Sequence, residues 1–290
     1  MASSGGYSRA AGRRAEHPSP WAVVTRVIGR YRERQMTDHA AALTYYAMMS
    51  LFPGLLLLVT ILGLVGQESL VTNIVDHLRN QGADPTTVNA LEKVLNGMIR
   101  TSGSALGITL VVSLALALNG VSGAFGAAGR ALNAIHGLED QRGFVRRKAT
   151  DLLVALVVVL LVIIGLAAVF LGGHIVDDLF GKIGLGSTAA TVWRIVRWPL
   201  AVVAIMVAFS LVYAYAPATE PRHMRWLSPG AIVGVALWIV ASIGFSVYVR
   251  NFSHYGTAYG AFGAAIILLL YIYIAANAFL LGGELNHELS

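Results

Sequence analysis

"LLVALVVVLLVIIGLAAVFLG", Leu152 to Gly172, runs for 21 residues without a charged or polar side chain. A helix rises about 1.5 Å per residue, so roughly 20 apolar residues cross the hydrocarbon of a bilayer. Comparable segments recur at about 40–66, 105–126, 151–172, 193–216, 229–249 and 258–284. None alternates with period two, which argues against an outer-membrane barrel. Hydrophobic residues make up 56% of the chain and charged ones 12%, roughly half the charge density of a soluble domain. The sequence predicts an all-α polytopic membrane protein, with a disordered basic stretch at 1–18 and a six-helix membrane domain at 19–290.

Cysteine is absent, which removes disulfides, thiolate metal sites and cysteine nucleophiles together. No short apolar core with a small-residue cleavage site follows the first residues, so a cleaved signal peptide is not expected. Orientation follows from Lys and Arg, which accumulate on cytoplasmic flanks. Residues 1–39 carry seven, 127–150 five and 217–228 two, against seven in the connections on the other side. Both termini are therefore expected in the cytoplasm, and the net charge of +6 is read as topology. A nucleic-acid partner would need an accessible basic face with stacking aromatics, and none is expected.

Two connections carry structure of their own. In "SPWAVVTRVIGRYRERQ", Ser19 caps a helix that Pro20 opens, and Trp21, Val24, Val27, Ile28 and Tyr31 recur at helical spacing. That pattern predicts an interfacial helix on the cytoplasmic surface. Between the first two spans, Leu70, Ile74 and Leu78, then Val88, Leu91, Leu95 and Met98 after Asp84-Pro85, predict a short helical extracytoplasmic cap.

The blocks "AALTYYAMMSLFPGLLLL" (41–58), "SGAFGAAGRALNAIHGLEDQRGFVRRKATDLL" (122–153), "PRHMRWLSPGAIVGVALW" (221–238) and "YGTAYGAFGAAIILLLYIYIAANAFLLGGELNHEL" (255–289) resemble the signature blocks of the YihY/BrkB family of bacterial inner-membrane proteins. The resemblance implies a six-helix protein of the plasma membrane with a transporter or serum-resistance role. The family's older label as ribonuclease BN is regarded as a mistaken assignment.

Polar residues inside the spans are the candidates for function. In "TYYAMMSLFPGLLLL", Thr44 to Leu58, Pro53 lacks an N–H, so the Met49 carbonyl loses its helical partner. A discontinuous helix beside a polar cavity is expected there, as transporters use near their binding sites. The plainer reading is a tolerated kink with back-bonding from Ser50. Tyr46, Ser50 and Pro53 share a helix face, and Tyr273, Asn277 and Glu284 share one in the last span. Tyr46, Ser50, Asn119 and Asn277 lie at similar depth, roughly 9 to 15 Å from the cytoplasmic ends of their spans. They predict a cavity between spans 1, 2 and 6, lined by Tyr46, Ser50, Pro53, Asn119 and Asn277, with Glu284 near its mouth. The plainer reading makes these residues independent interhelical hydrogen bonds.

Gly123 and Gly126, Gly230 and Gly234, and Gly256 and Gly260 read as helix-packing positions, for bundle contacts first and homo-oligomer contacts second. Chemistry finds little foothold. Glu284-x-x-His287 lacks the second such pair and the two further carboxylates of a di-iron site. His174, Asp177 and Asp178 read as a solvated helix end, and no hydrolase triad, Walker loop or HExxH is present. Neither enzymatic activity, a metal nor a cofactor is expected. The function predicted is transport or flipping of a small or amphiphilic solute. The alternative is a non-transporting envelope scaffold that organises partners or lipid.

Overall fold

The computed structural model describes residues 19–65, 103–170, 186–218, 228–251 and 256–289, with isolated positions between 75 and 93. The stretch 1–18, the cap residues Leu70, Ile74, Leu78, Leu91, Leu95 and Met98, and His174, Asp177 and Asp178 lie outside the described residues. Val88 is described and buried, and Arg79 bridges to Glu92 at 2.6 Å in that connection.

Among the described residues the chain forms long helices and no strand: α1 Pro20–Glu33, α2 Met36–Val65, α3 Gly103–His136, α4 Phe144–Phe170, α5 Gly186–Tyr215, α6 Pro229–Asn251 and α7 Gly256–Glu288. Five contain stretches long and apolar enough to cross a membrane: Leu110–His136, Phe144–Gly165, Thr191–Tyr215, Pro229–Val249 and Ala265–Glu288. The remaining expected span falls in α2, a helix of 30 residues whose side chains from Leu55 onward lie outside the described set.

Local signals set the helix ends. Ser19 accepts from the Ala22 N–H ahead of Pro20, and Ser228 accepts from the Ala231 N–H ahead of Pro229. Both are Ser caps with proline at the first helical position. Gly137, at φ 66°, closes α3, with the Leu138 N–H reaching back to the Asn133 carbonyl at 2.9 Å, as a Schellman ending requires.

The expected break at Pro53 is absent, because α2 runs unbroken from Met36 to Val65. Ser50 back-bonds to the Ala47 carbonyl at 2.8 Å, two residues short of the Met49 carbonyl that Pro53 leaves without its helical partner. A proline costs about 3 kcal/mol in a helix interior, and here α3 braces the same turn. A Cβ on Gly120 would lie 2.7 Å from the Ser50 Cα, and one on Gly123 would lie 2.8 Å from the Tyr46 ring. The two backbones thus meet where only glycine fits.

These contacts run antiparallel, Tyr46 to Gly123 and Ser50 to Gly120. The pair α6/α7 behaves alike. Gly230 lies directly on the Gly282 carbonyl, and Gly234 faces Ala278 and Gly282, so the small-residue motif at 230–234 serves the bundle. Gly256 and Gly260 open α7, where only the backbone is described. Three pairs, α2/α3, α4/α5 and α6/α7, form a ring that α7 closes against α2.

One end of the ring gathers both ends of the described chain. Met36, Ala40, Leu132, Ile135 and Leu280, each at most 1% exposed, form the core there. The Asn133 side chain accepts from the Ala218 N–H at 2.7 Å, and Arg142 donates to the Ala216 carbonyl at 3.1 Å. The basic residues of α1, the 137–143 turn and the start of α4 all lie at this end, called the basic end below.

Arg142 also grips Asp140 through two bonds of 2.8 and 2.9 Å. The hydrogen-bonded guanidinium holds the Asp140 carboxyl below the usual carboxylate range. A carboxylate depressed in this way stabilises the fold above its ordinary pKa, and the contribution fades as pH falls through the lowered value. Asp140→Asn is therefore expected to cost about 1 kcal/mol at neutral pH. The difference in melting temperature from the parent protein should close below about pH 4, as read by thermal unfolding in detergent.

Candidate functional site

The polar side chains of the basic end fall into two sets. In the first, α1 folds back across the end of α7. Arg34 donates to both oxygens of Glu284 at 2.9 and 3.1 Å, and Glu284 has no exposed surface. Arg26 and Arg30 hold Glu288 at 2.6 and 2.5 Å. The Tyr31 hydroxyl donates to the Asn277 side-chain carbonyl at 2.6 Å, and the Asn277 amide donates to the Tyr273 carbonyl at 2.7 Å. Burial pushes the Tyr31 phenol above its ordinary range, so it remains a donor. Each member of this set has a partner.

The second set has almost none. A cavity of about 440 Å³ lies between α2, α3 and α4. From α2 come Tyr46, Met49 and Pro53; from α3 come Asn119, Ser122 and Arg130; from α4 come Arg147, Lys148 and Asp151. Spacings of three and four bring Asn119, Ser122, Gly126 and Arg130 to one face of α3, and the glycines between them leave room. Arg130 stands 5.6 Å over the Tyr46 ring. The Ser122 hydroxyl is buried without a hydrogen-bond partner. Asp151 is 4% exposed and makes no hydrogen bond or ion pair within the described residues; Arg142, Arg147 and Lys148 act on its charge at longer range. The cavity thus grades from cations at its mouth to an amide about 16 Å deeper along α3.

Of the residues singled out from sequence, Tyr46, Pro53 and Asn119 meet in this cavity. Ser50 lies against Gly120 with its hydroxyl turned to Ala47. Asn277 and Glu284 belong to the α1–α7 ties instead, because α1 supplies the partners that depth alone could not reveal. Glu284 pairs with Arg34, leaving Arg130 to the cavity. Gly123 and Gly126 do face it. Of the predicted triad of spans, α4 takes the place of α7. Between α2 and α7, among the described residues, lies an apolar groove of about 320 Å³ that includes Tyr45 and Tyr273.

Ser122, Arg147, Lys148 and Asp151 escaped the sequence reading. Arg147 and Lys148 were counted for orientation alone. The signal that finds Asp151 is its place one helical turn after Arg147, a carboxylate leading into an apolar run. His287 packs edge-on against His136 at 4.7 Å, and among the described residues no three His, Asp or Glu side chains gather as metal ligands would.

Long apolar helices packed in a ring, with a polar cavity between three of them, define a polytopic α-helical membrane protein. The chain belongs to the BrkB family: the family described as "Virulence factor BrkB" matches residues 27–290. Among its relatives, the ribonuclease-like protein YfkH of Bacillus subtilis is 27% identical over 90% of this chain and 92% of its own length. A UPF0761 membrane protein of Alteromonas mediterranea is 26% identical over 90% of this chain and 85% of its own. Another, of Kangiella koreensis, is 27% identical over 90% of this chain, which spans only 62% of that relative's length. No solved structure matches the chain.

Because the chain has no cysteine, single replacements report directly on water. Asn119→Cys is expected to react with a membrane-impermeant maleimide roughly tenfold faster than Asn277→Cys, since a lined cavity is wet and a helix seam is not. Equal, slow labelling at both would show the cavity dry.

Proposed function

We propose that this chain moves an amphiphilic solute between the two faces of a bacterial plasma membrane through the α2–α3–α4 cavity, with the basic end and both termini in the cytoplasm. One observation carries the reading. The Ser122 hydroxyl is buried without a partner, Asp151 is buried and makes no hydrogen bond or ion pair among the described residues, and the exposed Asn119 continues their row along α3. An amide or carboxylate at such depth is expensive unless water or a ligand meets it. A scaffold would pair its polar groups, as the α1–α7 side does, and the cavity side leaves them open. The orientation is supported by the excess of Lys and Arg at the basic end.

The test is reconstitution into liposomes carrying a trace of fluorescently labelled phosphatidylglycerol, with dithionite quenching to follow its passage between leaflets. The protein is expected to accelerate passage over empty liposomes. Asn119→Leu and Asp151→Asn should each slow it about tenfold or more, a transition-state loss of about 1.4 kcal/mol, while shifting the melting temperature by only a few degrees. Rates equal to empty liposomes would remove the transport reading and leave the scaffold.

We further propose that the chain does not itself cleave RNA, whatever the name of the Bacillus relative. Phosphodiester hydrolysis needs a metal pair or a matched acid and base; Glu284 is tied to Arg34 and Asp140 to Arg142, and among the described residues no three His, Asp or Glu side chains gather as metal ligands would. Purified protein with magnesium or manganese is expected to cleave RNA no faster than a mock preparation. Cleavage abolished by Asp151→Asn would overturn this.

A further inference from the structure

We propose that the α2–α3–α4 cavity is a binding site for a phosphate-bearing anion, gripped at the mouth by Arg130, Arg147 and Lys148. The proposal deepens the transport reading by naming the class of solute, and it rests on that reading for the site's purpose though not for its occupancy.

The contrast with α1 motivates it. Arg26, Arg30 and Arg34 each have a carboxylate within 2.9 Å. Arg130, Arg147 and Lys148 converge on one cavity, and no described carboxylate lies within ion-pairing distance of any of them; Arg130 has only the Tyr46 ring. Three cations against the single carboxylate of Asp151 leave the cavity with a net positive charge. Like charges held together beside hydrocarbon repel strongly, and a bound anion relieves them. Two guanidinium forks and an ammonium suit phosphate oxygens, which accept paired N–H bonds. Basic pockets between transmembrane helices near the cytoplasmic face are where anionic headgroups settle.

The remainder of the cavity narrows the ligand. Asp151 sits one turn below Arg147 and is buried, so its oxygens are placed to accept from a hydroxyl or amino group on the ligand. The unpartnered Ser122 hydroxyl lies on the facing helix. Phe144 at the mouth and Met49 deeper along α2, 78% and 55% exposed, offer apolar surface against which an acyl chain can lie. The ligand is thus a phosphate ester carrying a hydrogen-bond donor. Its source is either a lipid headgroup or a soluble phosphate compound.

Binding is measured at equilibrium on the full chain in detergent, by tryptophan fluorescence during thermal unfolding. The probes are dioctanoyl phosphatidylglycerol, dioctanoyl phosphatidylcholine and inorganic phosphate. A rise in melting temperature with phosphatidylglycerol but not phosphatidylcholine supports a lipid source, and a rise with inorganic phosphate supports a soluble one. The combined Arg130→Gln, Arg147→Gln and Lys148→Gln variant should weaken binding at least about tenfold per cation removed, whereas Arg146→Gln, whose side chain does not line the cavity, should bind as the parent does. Gly126→Leu gives a second measure that removes no cation. A Cβ there already meets Asp151 at 3.3 Å and Arg130 at 3.5 Å, so the larger side chain should fill the floor and abolish binding. No stabilisation by any probe, or unchanged binding in the triple variant, overturns the site. Binding without lipid passage in liposomes would remove the transport reading and keep the site; passage without binding would do the reverse.

Discussion

Glu284 carries a carboxylate with no exposed surface into the last helix, and a charge so placed survives only beside an opposite one. Arg34 is that partner at 2.9 Å. Breaking a buried pair by removing one member costs about 3–5 kcal/mol, because the other charge is left stranded. The pair requires α1 to lie across the end of α7, and α1 brings Tyr31 to Asn277 and two more arginines to Glu288 with it. The core of Met36, Leu132, Ile135 and Leu280 closes beneath the same strap. The order of the basic end thus follows from the need to satisfy one carboxylate.

The same rule, applied to α4, leads to the opposite outcome. Asp151 is nearly as buried, yet the cations around it stand off, and the space between is cavity. Membrane proteins satisfy intramembrane polar groups either with each other or with what passes through. This chain ties one set and leaves the other lining a cavity within one end of a single ring, with α3 between them: its His136 faces α7 and its Asn133 the end of α5, while its Asn119, Ser122 and Arg130 face the cavity.

Much of the architecture was legible from apolar run length and caps. The expected spans 105–126, 229–249 and 258–284 fall within α3, α6 and α7, those of 151–172 and 193–216 overlap α4 and α5 to within two residues, and Ser19-Pro20 opens α1. The interfacial helix was half legible. Its pattern joined Trp21, Val24 and Ile28 to Val27 and Tyr31, whereas Val23, Val27 and Tyr31 face the bundle and Trp21, Val24 and Ile28 remain exposed. The site was less legible, because helical spacing gives depth and relative face but not which neighbour a face meets. The neighbour of Asn277 is decided by the elbow at Gln35, a non-glycine residue at φ 52°. Nothing in its side chain announces a left-handed turn, and the conformation carries a local cost of roughly 1–2 kcal/mol that the ion pairs of α1 outweigh. The unbroken course of α2 through Pro53 was hidden for a similar reason, since its brace comes from Gly120 on another helix.

The strap of α1 over α7 also has a history in time. Arg34 emerges from the ribosome about 250 residues before Glu284, and chains are made at roughly 5–20 residues per second. For some tens of seconds the arginines of α1 are without Glu284 and Glu288. The last helix arrives with a carboxylate that has no stable place until α1 lies across it. The end of the bundle that holds the first helix is therefore the last part of the chain able to close.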